Sequence, residues 1–213
     1  RYREFYQCDA DIIGSKGIWN EVELTLLFGD VFRDLQLSEY VIKVNHREVL
    51  FMLASYVGLK GKEIPFCAEL DKLDKIGEEK TIENIIGIGG DAELISNRDT
   101  SSIIDEIKKL DPANAGVQDI QAYFDQLEQF KDRDIHIELD LSLARGLSYY
   151  TGMIFEVKPT SVQMGSICGG GRYDNLTGVF GLNDISGIGI SFGLDRIYDV
   201  MEELNLFPSE ISQ

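Results

Sequence analysis

The sequence has few cysteines, a shortage of basic residues and no long apolar run. Its three cysteines, Cys8, Cys67 and Cys168, are far apart and odd in number. No CxxC or Cys/His spacing joins them, so neither a disulfide framework nor a zinc site is indicated. Reduced thiols, and hence a cytoplasmic location, are the simplest reading. Lysine and arginine total 20 against 37 aspartates and glutamates, for a net charge of −17 and a pI near 4.4. That balance argues against a general electrostatic grip on nucleic acid, which needs a basic face. No stretch approaches transmembrane length and no signal peptide is visible, so no membrane role is expected. Low-complexity tracts and internal repeats are also missing. The first residue is not methionine, and the expectation is a piece of a longer protein.

What is present is enough for a folded domain. The chain has 213 residues, of which 44% are hydrophobic. RYREFYQCDADIIG (1–14) alternates, which predicts a strand. Arg1, Arg3, Phe5, Gln7, Asp9 and Asp11 share one face; Cys8, Ala10 and Ile12 lie on the other. A helix is predicted over 20–35, with Asn20 as N-cap and Leu24, Leu27, Phe28, Val31 and Leu35 as its apolar stripe. A buried strand at 40–45 and a helix at 47–56 follow. Residues 58–130 read as mostly helical, broken at GIGGD (87–91) and DPANAG (111–116). Strands then return over 135–143, 149–157, about 165–168 and 188–192, and a helix at 194–204 closes the pattern. This predicts an α+β fold, an antiparallel sheet flanked by helices with a helical insertion. The chain divides into a core part at 1–57, the insertion at 58–130 and a second core part at 131–213.

Four segments carry candidate chemistry. The polar face of the first strand combines an aspartate and an amide, which suit an ammonium group. Phe5 suits a flat ring, and the arginines suit phosphates. The alternative is a solvated edge-strand face, and spacing does not separate the two. In LARGLSYYTGMIFEV (143–157), Arg145 sits among small residues that would let an anion approach closely. A surface arginine in a hairpin turn is the commoner case. If 149–157 is a strand, its alternation turns at least one of Tyr149 and Tyr150 toward the same cavity. GGGRYD (169–174) permits close backbone approach and otherwise reads as a glycine-rich turn. GIGISFGLDR (187–196) is not a dinucleotide fingerprint, because Phe192 stands where the third glycine of GxGxxG would fall. It reads as a glycine-rich strand entering a helix, with Arg196 in the first turn. His46 and His136 are isolated, and Glu138 and Asp140 have no paired-acid context. No metal site is predicted.

Together these segments resemble the catalytic domain of the histidyl-tRNA synthetases, within the class II aminoacyl-tRNA synthetases. RYREFYQCDADIIG is similar to the end of motif 2 and the strand after it. LARGLSYYTG resembles the histidine-specific signature, GGGRYDNL a further family segment, and GIGISFGLDR motif 3. The resemblance covers essentially the whole chain, most weakly over 58–130. It implies ATP-dependent activation of histidine and transfer to its tRNA, with ATP and Mg2+ at the site and a homodimer as the assembly. It also implies roles. Gln7, Asp11, Arg145, Tyr149, Tyr150 and Tyr173 would bind histidine, with Arg145 also on the α-phosphate as the catalytic group. Arg1, Phe5 and Arg196 would bind ATP. Motif 1, the first half of motif 2 and the anticodon-binding domain have no counterpart in these 213 residues. Two other readings are a non-catalytic regulatory subunit of ATP phosphoribosyltransferase and a synthetase-like sensor domain of a stress kinase. The intact Arg145–Tyr149–Tyr150 signature favours the enzyme over both.

Overall fold

The computed structural model describes residues 4–96 and 99–208. Six strands form one sheet in the order β1-β6-β5-β4-β2-β3. They are β1 (Gln7–Ile13), β2 (Tyr40–His46), β3 (Ile137–Leu139), β4 (Met153–Pro159), β5 (Cys168–Arg172) and β6 (Gly187–Gly193). The helices are α1 (Trp19–Asp34), α2 (Arg47–Tyr56), α3 (Glu63–Leu70), α4 (Leu73–Ile76), α5 (Glu78–Gly87), α6 (Thr100–Leu110), α7 (Ala115–Leu127), α8 (Leu176–Val179) and α9 (Leu194–Glu203).

The α+β class holds, with one correction: the sheet is mixed. All neighbours are antiparallel except β2 and β3, which pair in parallel. The helices between these two strands carry the chain back to the start of β2, so β3 must run the same way. β3 is also much shorter than the 135–143 alternation suggests. Its far end is cut by Asp140, whose Oδ1 accepts the amide and hydroxyl of Ser142 at 2.9 and 2.5 Å and turns the chain.

Local chemistry sets the helix ends. Asn20 is not the N-cap of α1 but lies in its first turn, its amide donating to the Ser15 carbonyl at 3.1 Å. Gln36 ends that helix with φ of 59°, and Leu37 N–H returns to the Phe32 carbonyl at 2.9 Å, a left-handed C-terminal closure. His46 caps α2 by accepting the Glu48 N–H on Nδ1, and Asn114 caps α7 through the Val117 N–H. The DPANAG break is therefore a helix start.

Strand alternation gives the sheet two unlike faces. One is apolar and packs on α1 and α7. Phe192 meets Phe28 with ring centres 5.2 Å apart, and Phe155 meets Tyr123 at 6.2 Å. Tyr123 is fully buried, and its hydroxyl is satisfied by Thr25 Oγ1 at 2.8 Å. The other face is polar. Register places Asp9, Ser191, Gly169, Glu156, Lys43 and Glu138 in one row across all six strands. Asp11, Gly189 and Gly171 form the next row. Among the described residues no helix is long and apolar enough to cross a membrane.

Candidate functional site

A cavity of about 450 Å³ opens on the polar face over β1, β6 and β5, lined by Gln7, Asp11, Tyr149, Tyr150 and Tyr173. Its floor exists because side chains are missing. A Cβ on Gly189 would overlap the Asp11 carboxylate, and one on Gly187 would overlap the Tyr173 ring. Gly169, Gly170 and Gly171 belong to β5 and are not the turn that three consecutive glycines predict. The reason is close approach: a Cβ on Gly170 would strike the Gly189 carbonyl, and one on Gly171 would lie 2.8 Å from the Met153 carbonyl.

The paired tyrosines stand in a turn rather than on the strand expected from residue 149 onward. Gly146 has φ of +64°, and its carbonyl accepts the amides of Tyr149 and Tyr150 at 3.2 and 3.0 Å. The turn brings both phenols into the cavity wall, where strand geometry would send them to opposite faces. Their ring centres are 4.3 Å apart. A Cβ on Gly146 would overlap the Tyr150 ring, so glycine is required twice there, for backbone and for space. Arg47 holds the turn from below. Its Nη2 donates to the Gly146 carbonyl at 2.7 Å and its Nε to the Tyr150 carbonyl at 3.2 Å.

Burial, reinforced by the neighbouring Tyr149, holds the Tyr150 phenol well above its usual pKa. Burial and a hydrogen bond to Asp11 do the same for Tyr173. Both phenols are therefore neutral donors at physiological pH. Tyr173 donates to Asp11 Oδ1. Gln7 donates its amide to Asp9 Oδ1 at 2.9 Å, on the same strand face.

Arg145 does not line this cavity. It lies in a small adjoining cleft with Glu156, Lys158 and Asp140. The two clefts meet across the β4–β5 ladder, where Glu156 faces Gly169. Arg145 Nε is 2.5 Å from Glu156 Oε1, and its side chain is 45% exposed.

At the other end of the cavity, Phe5 is 65% exposed. The next residue is tied to the start of α9: Tyr6 N–H donates to Asp195 Oδ2 at 2.8 Å, and Leu194 N–H to the Tyr6 carbonyl at 3.3 Å. Arg196 lies in the first turn of α9 and donates to the Ser166 carbonyl at 2.5 Å. Phe5 and Arg196 thus share one corner of the sheet. Arg1 lies outside the described residues. His46 is a buried helix cap, and the backbone carbonyl of exposed His136 accepts Ile42 N–H at 2.9 Å.

Sequence reasoning missed the support beneath the cavity. Arg172 is buried against Glu21 by two hydrogen bonds of 2.6 and 2.7 Å, and it donates to Ser186 Oγ at 2.5 Å. Glu21 is 1% exposed. Desolvation by burial pushes the Glu21 carboxyl above its usual pKa, and the bidentate guanidinium of Arg172 opposes that shift. Asp174 links Ser186 to Thr151, completing the brace behind β5. Arg172 stood inside GGGRYD, but nothing local pointed to a partner 151 positions away.

The profile of the histidyl-tRNA synthetase family matches residues 1–197. The chain belongs to that family. It is 46% identical over 224 residues to the histidine–tRNA ligase of Cytophaga hutchinsonii, covering 100% of this chain and 49% of that protein. The corresponding ligase of Flavobacterium johnsoniae is 46% identical over 225 residues, covering 100% and 47%. The chain thus spans about half the length of the curated relatives it matches. Among solved structures, the histidyl-tRNA synthetase of Nostoc sp. PCC 7120 superposes with a TM-score of 0.84 at 26% identity, over 97% of this chain and 52% of that one. A protein of Bacillus halodurans described as an ATP phosphoribosyltransferase regulatory subunit/histidyl-tRNA synthetase has a TM-score of 0.72 at 22% identity, covering 92% and 53%. That likeness shows the fold alone. The six-stranded mixed sheet flanked by helices is the class II catalytic-core architecture of this family.

Proposed function

We propose that the natural protein containing this chain is a cytoplasmic histidine–tRNA ligase. It joins histidine to ATP as histidyl-adenylate and then transfers the histidyl group to the 3′ end of its tRNA, as a homodimer. The observation that carries this reading is the convergence of Asp11, Gln7, Tyr149, Tyr150 and Tyr173 on one glycine-floored cavity, in a chain of the histidyl-tRNA synthetase family.

The chemistry suits the residues. Asp11 offers a carboxylate to the substrate ammonium, oriented by Tyr173. Imidazole has one donor and one acceptor nitrogen, and Gln7, Tyr149 and Tyr150 can serve both. A site that pairs polar ligand atoms rejects analogues lacking them. In activation, a carboxylate oxygen of histidine attacks the α-phosphorus. A P–O bond forms as the bond to the bridging oxygen of the β-phosphate breaks, and pyrophosphate leaves with that electron pair. Both reactants are anionic, so catalysis is positioning plus charge stabilisation. Arg145, always protonated, is assigned to the carboxylate and the α-phosphate together. Phe5 and Arg196 are assigned to the two faces of adenine, and Arg1 to the outer phosphates.

Mg2+ would arrive with ATP. Among the described residues no group of three or more His, Cys, Asp or Glu side chains could hold a metal ion. The described residues therefore supply no such cage, and Mg2+ would be held by phosphate oxygens and water, its usual preference. No step is assigned to it.

The test is histidine-dependent ATP–pyrophosphate exchange by the full-length natural protein. Exchange is expected with histidine. Arg145→Ala is expected to lose about 2.7–4 kcal/mol of transition-state stabilisation, on the scale of an oxyanion-hole donor. Parental exchange in that variant would overturn the role of Arg145. Absence of exchange in the parent, with binding to an ATP phosphoribosyltransferase, would replace the enzyme by a regulatory subunit.

A further inference from the structure

Glu156 is a carboxylate in the middle of the apolar strand β4, MIFEVKP. Its side chain is 3% exposed. An ionised group so placed is costly unless a cation neutralises it. Two cations do: Arg145 Nε at 2.5 Å from Oε1 and Lys158 Nζ at 3.4 Å from Oε2. They are not equivalent. Lys158 is shared with Asp74 of α4, whereas Glu156 is the acid on which Arg145 rests among the described residues.

The contact has a specific form. Arg145 Nε and Glu156 Oε1 are close, yet the oxygen receives no aligned hydrogen bond. The attraction is that of an ion pair without a locked donor direction. Among the described residues neither Nη group of Arg145 has a partner. The guanidinium is thus held at one edge, while its other donors remain open to an arriving anion. Glu156 in turn faces Gly169, part of the cavity floor, across the β4–β5 ladder.

We propose that Glu156 is the positioning residue for Arg145: its buried carboxylate anchors the guanidinium beside the cavity and leaves both Nη groups for the substrate carboxylate and α-phosphate. This rests on the activity proposed above. The row of side chains explains why the anchor is on β4. From there a carboxylate reaches the edge of the cavity without occupying it.

The test uses the full-length natural protein with Glu156→Gln, which keeps shape and removes charge, and Glu156→Asp, which keeps charge and withdraws it by one methylene. Glu156→Gln is expected to lower kcat/KM for exchange on the order of 100-fold, mainly through kcat, as misplacement of a catalytic group does. Glu156→Asp should fall between it and the parent, and carries the test if the glutamine variant does not fold. Combined with Arg145→Lys, Glu156→Gln should add less than threefold, because the two side chains act as one unit. Parental kinetics in Glu156→Gln, or losses that multiply in the double variant, would overturn the proposal. If the parent shows no exchange, the assigned activity fails instead, and a crystal structure of Glu156→Gln decides the anchoring alone. Arg145 displaced from residue 156 supports it, and an unmoved Arg145 overturns it.

Discussion

Along the polar face of the sheet, the β1–β6–β5 end is floored by Gly169, Gly171, Gly187, Gly189 and Ser191. The β4–β2–β3 end of the same face carries Glu156, Lys158 and Lys43. Both ends belong to one sheet, antiparallel except for the β2–β3 pair; what sets them apart on this face is the length of the side chains standing on it. At the first end, missing side chains leave room for a ligand. At the second, long ones fill the space and pair with each other, with Lys43 on Asp140 at 2.6 Å and Arg145 on Glu156. A binding cavity and its charged neighbour thus share one face of one sheet and differ in what projects from it. The glycine end should resist added bulk, and the charged end should tolerate truncation wherever the lost group is exposed.

The largest expected effect lies beneath the glycine end. Arg172→Ala strands Glu21 as a buried, unpaired carboxylate and should destabilise the fold by about 3–5 kcal/mol in denaturant unfolding. A loss under about 1 kcal/mol would mean that something else braces β5. Next comes the floor itself. Gly189→Val pushes a branched side chain into the Asp11 carboxylate and should cost about 1–3 kcal/mol, with loss of measurable histidine binding by calorimetry. Retained binding would show that the floor can move. Lys158→Ala probes the charged end. Its partner Asp74 is mostly exposed, and buried Glu156, which it approaches at 3.4 Å, keeps Arg145 at 2.5 Å, so the change in stability should stay below about 1 kcal/mol; a larger value would erase the contrast between the two ends.

The smallest expected effect concerns the thiols. Burial pushes Cys67 up to about 11 and Cys168 up to about 12, while Cys8 is exposed. At pH 8 the native protein should show one fast-reacting thiol in a colorimetric disulfide-exchange assay, and three after unfolding. Because the folded thiols hold their protons longer than unfolded ones, which titrate near 9.0, their contribution to stability is complete below pH 9. It is lost as pH rises through the folded values.

Elements whose signal is local were legible in the sequence. The polar face of β1 followed from period-two alternation, and α2 and α9 from apolar spacing and their flanking residues. The start of the expected 149–157 strand, before β4 begins at Met153, and the GGG turn depart from the sequence reading for opposite reasons. Tyr149 and Tyr150 have strand propensity, but the left-handed Gly146 folds them into a turn. Three glycines have turn propensity, but the crowding of β5 between β4 and β6 makes them strand residues. Local turn chemistry overrode propensity at the tyrosines, and tertiary packing overrode it at the glycines. Glu156 offered a sequence signal, a lone acid in MIFEV, whereas its partner could be read only once β4 lay beside the 140–145 loop. The Glu21–Arg172 brace offered none, because pairing across 151 positions is decided by topology.

The glycine floor also has a direction. A residue without a side chain can only be replaced by something larger, so a substitution at Gly169 or Gly189, which line the cavity, adds bulk at its floor. Widening for a bulkier ligand must come from the walls, from Tyr149, Tyr150, Tyr173 or the exposed Leu176 and Phe180 side. A laboratory search for altered ligand preference has productive positions on the walls and none on the floor. The same asymmetry leaves drift at the floor glycines able to narrow the range of accepted ligands but never to broaden it.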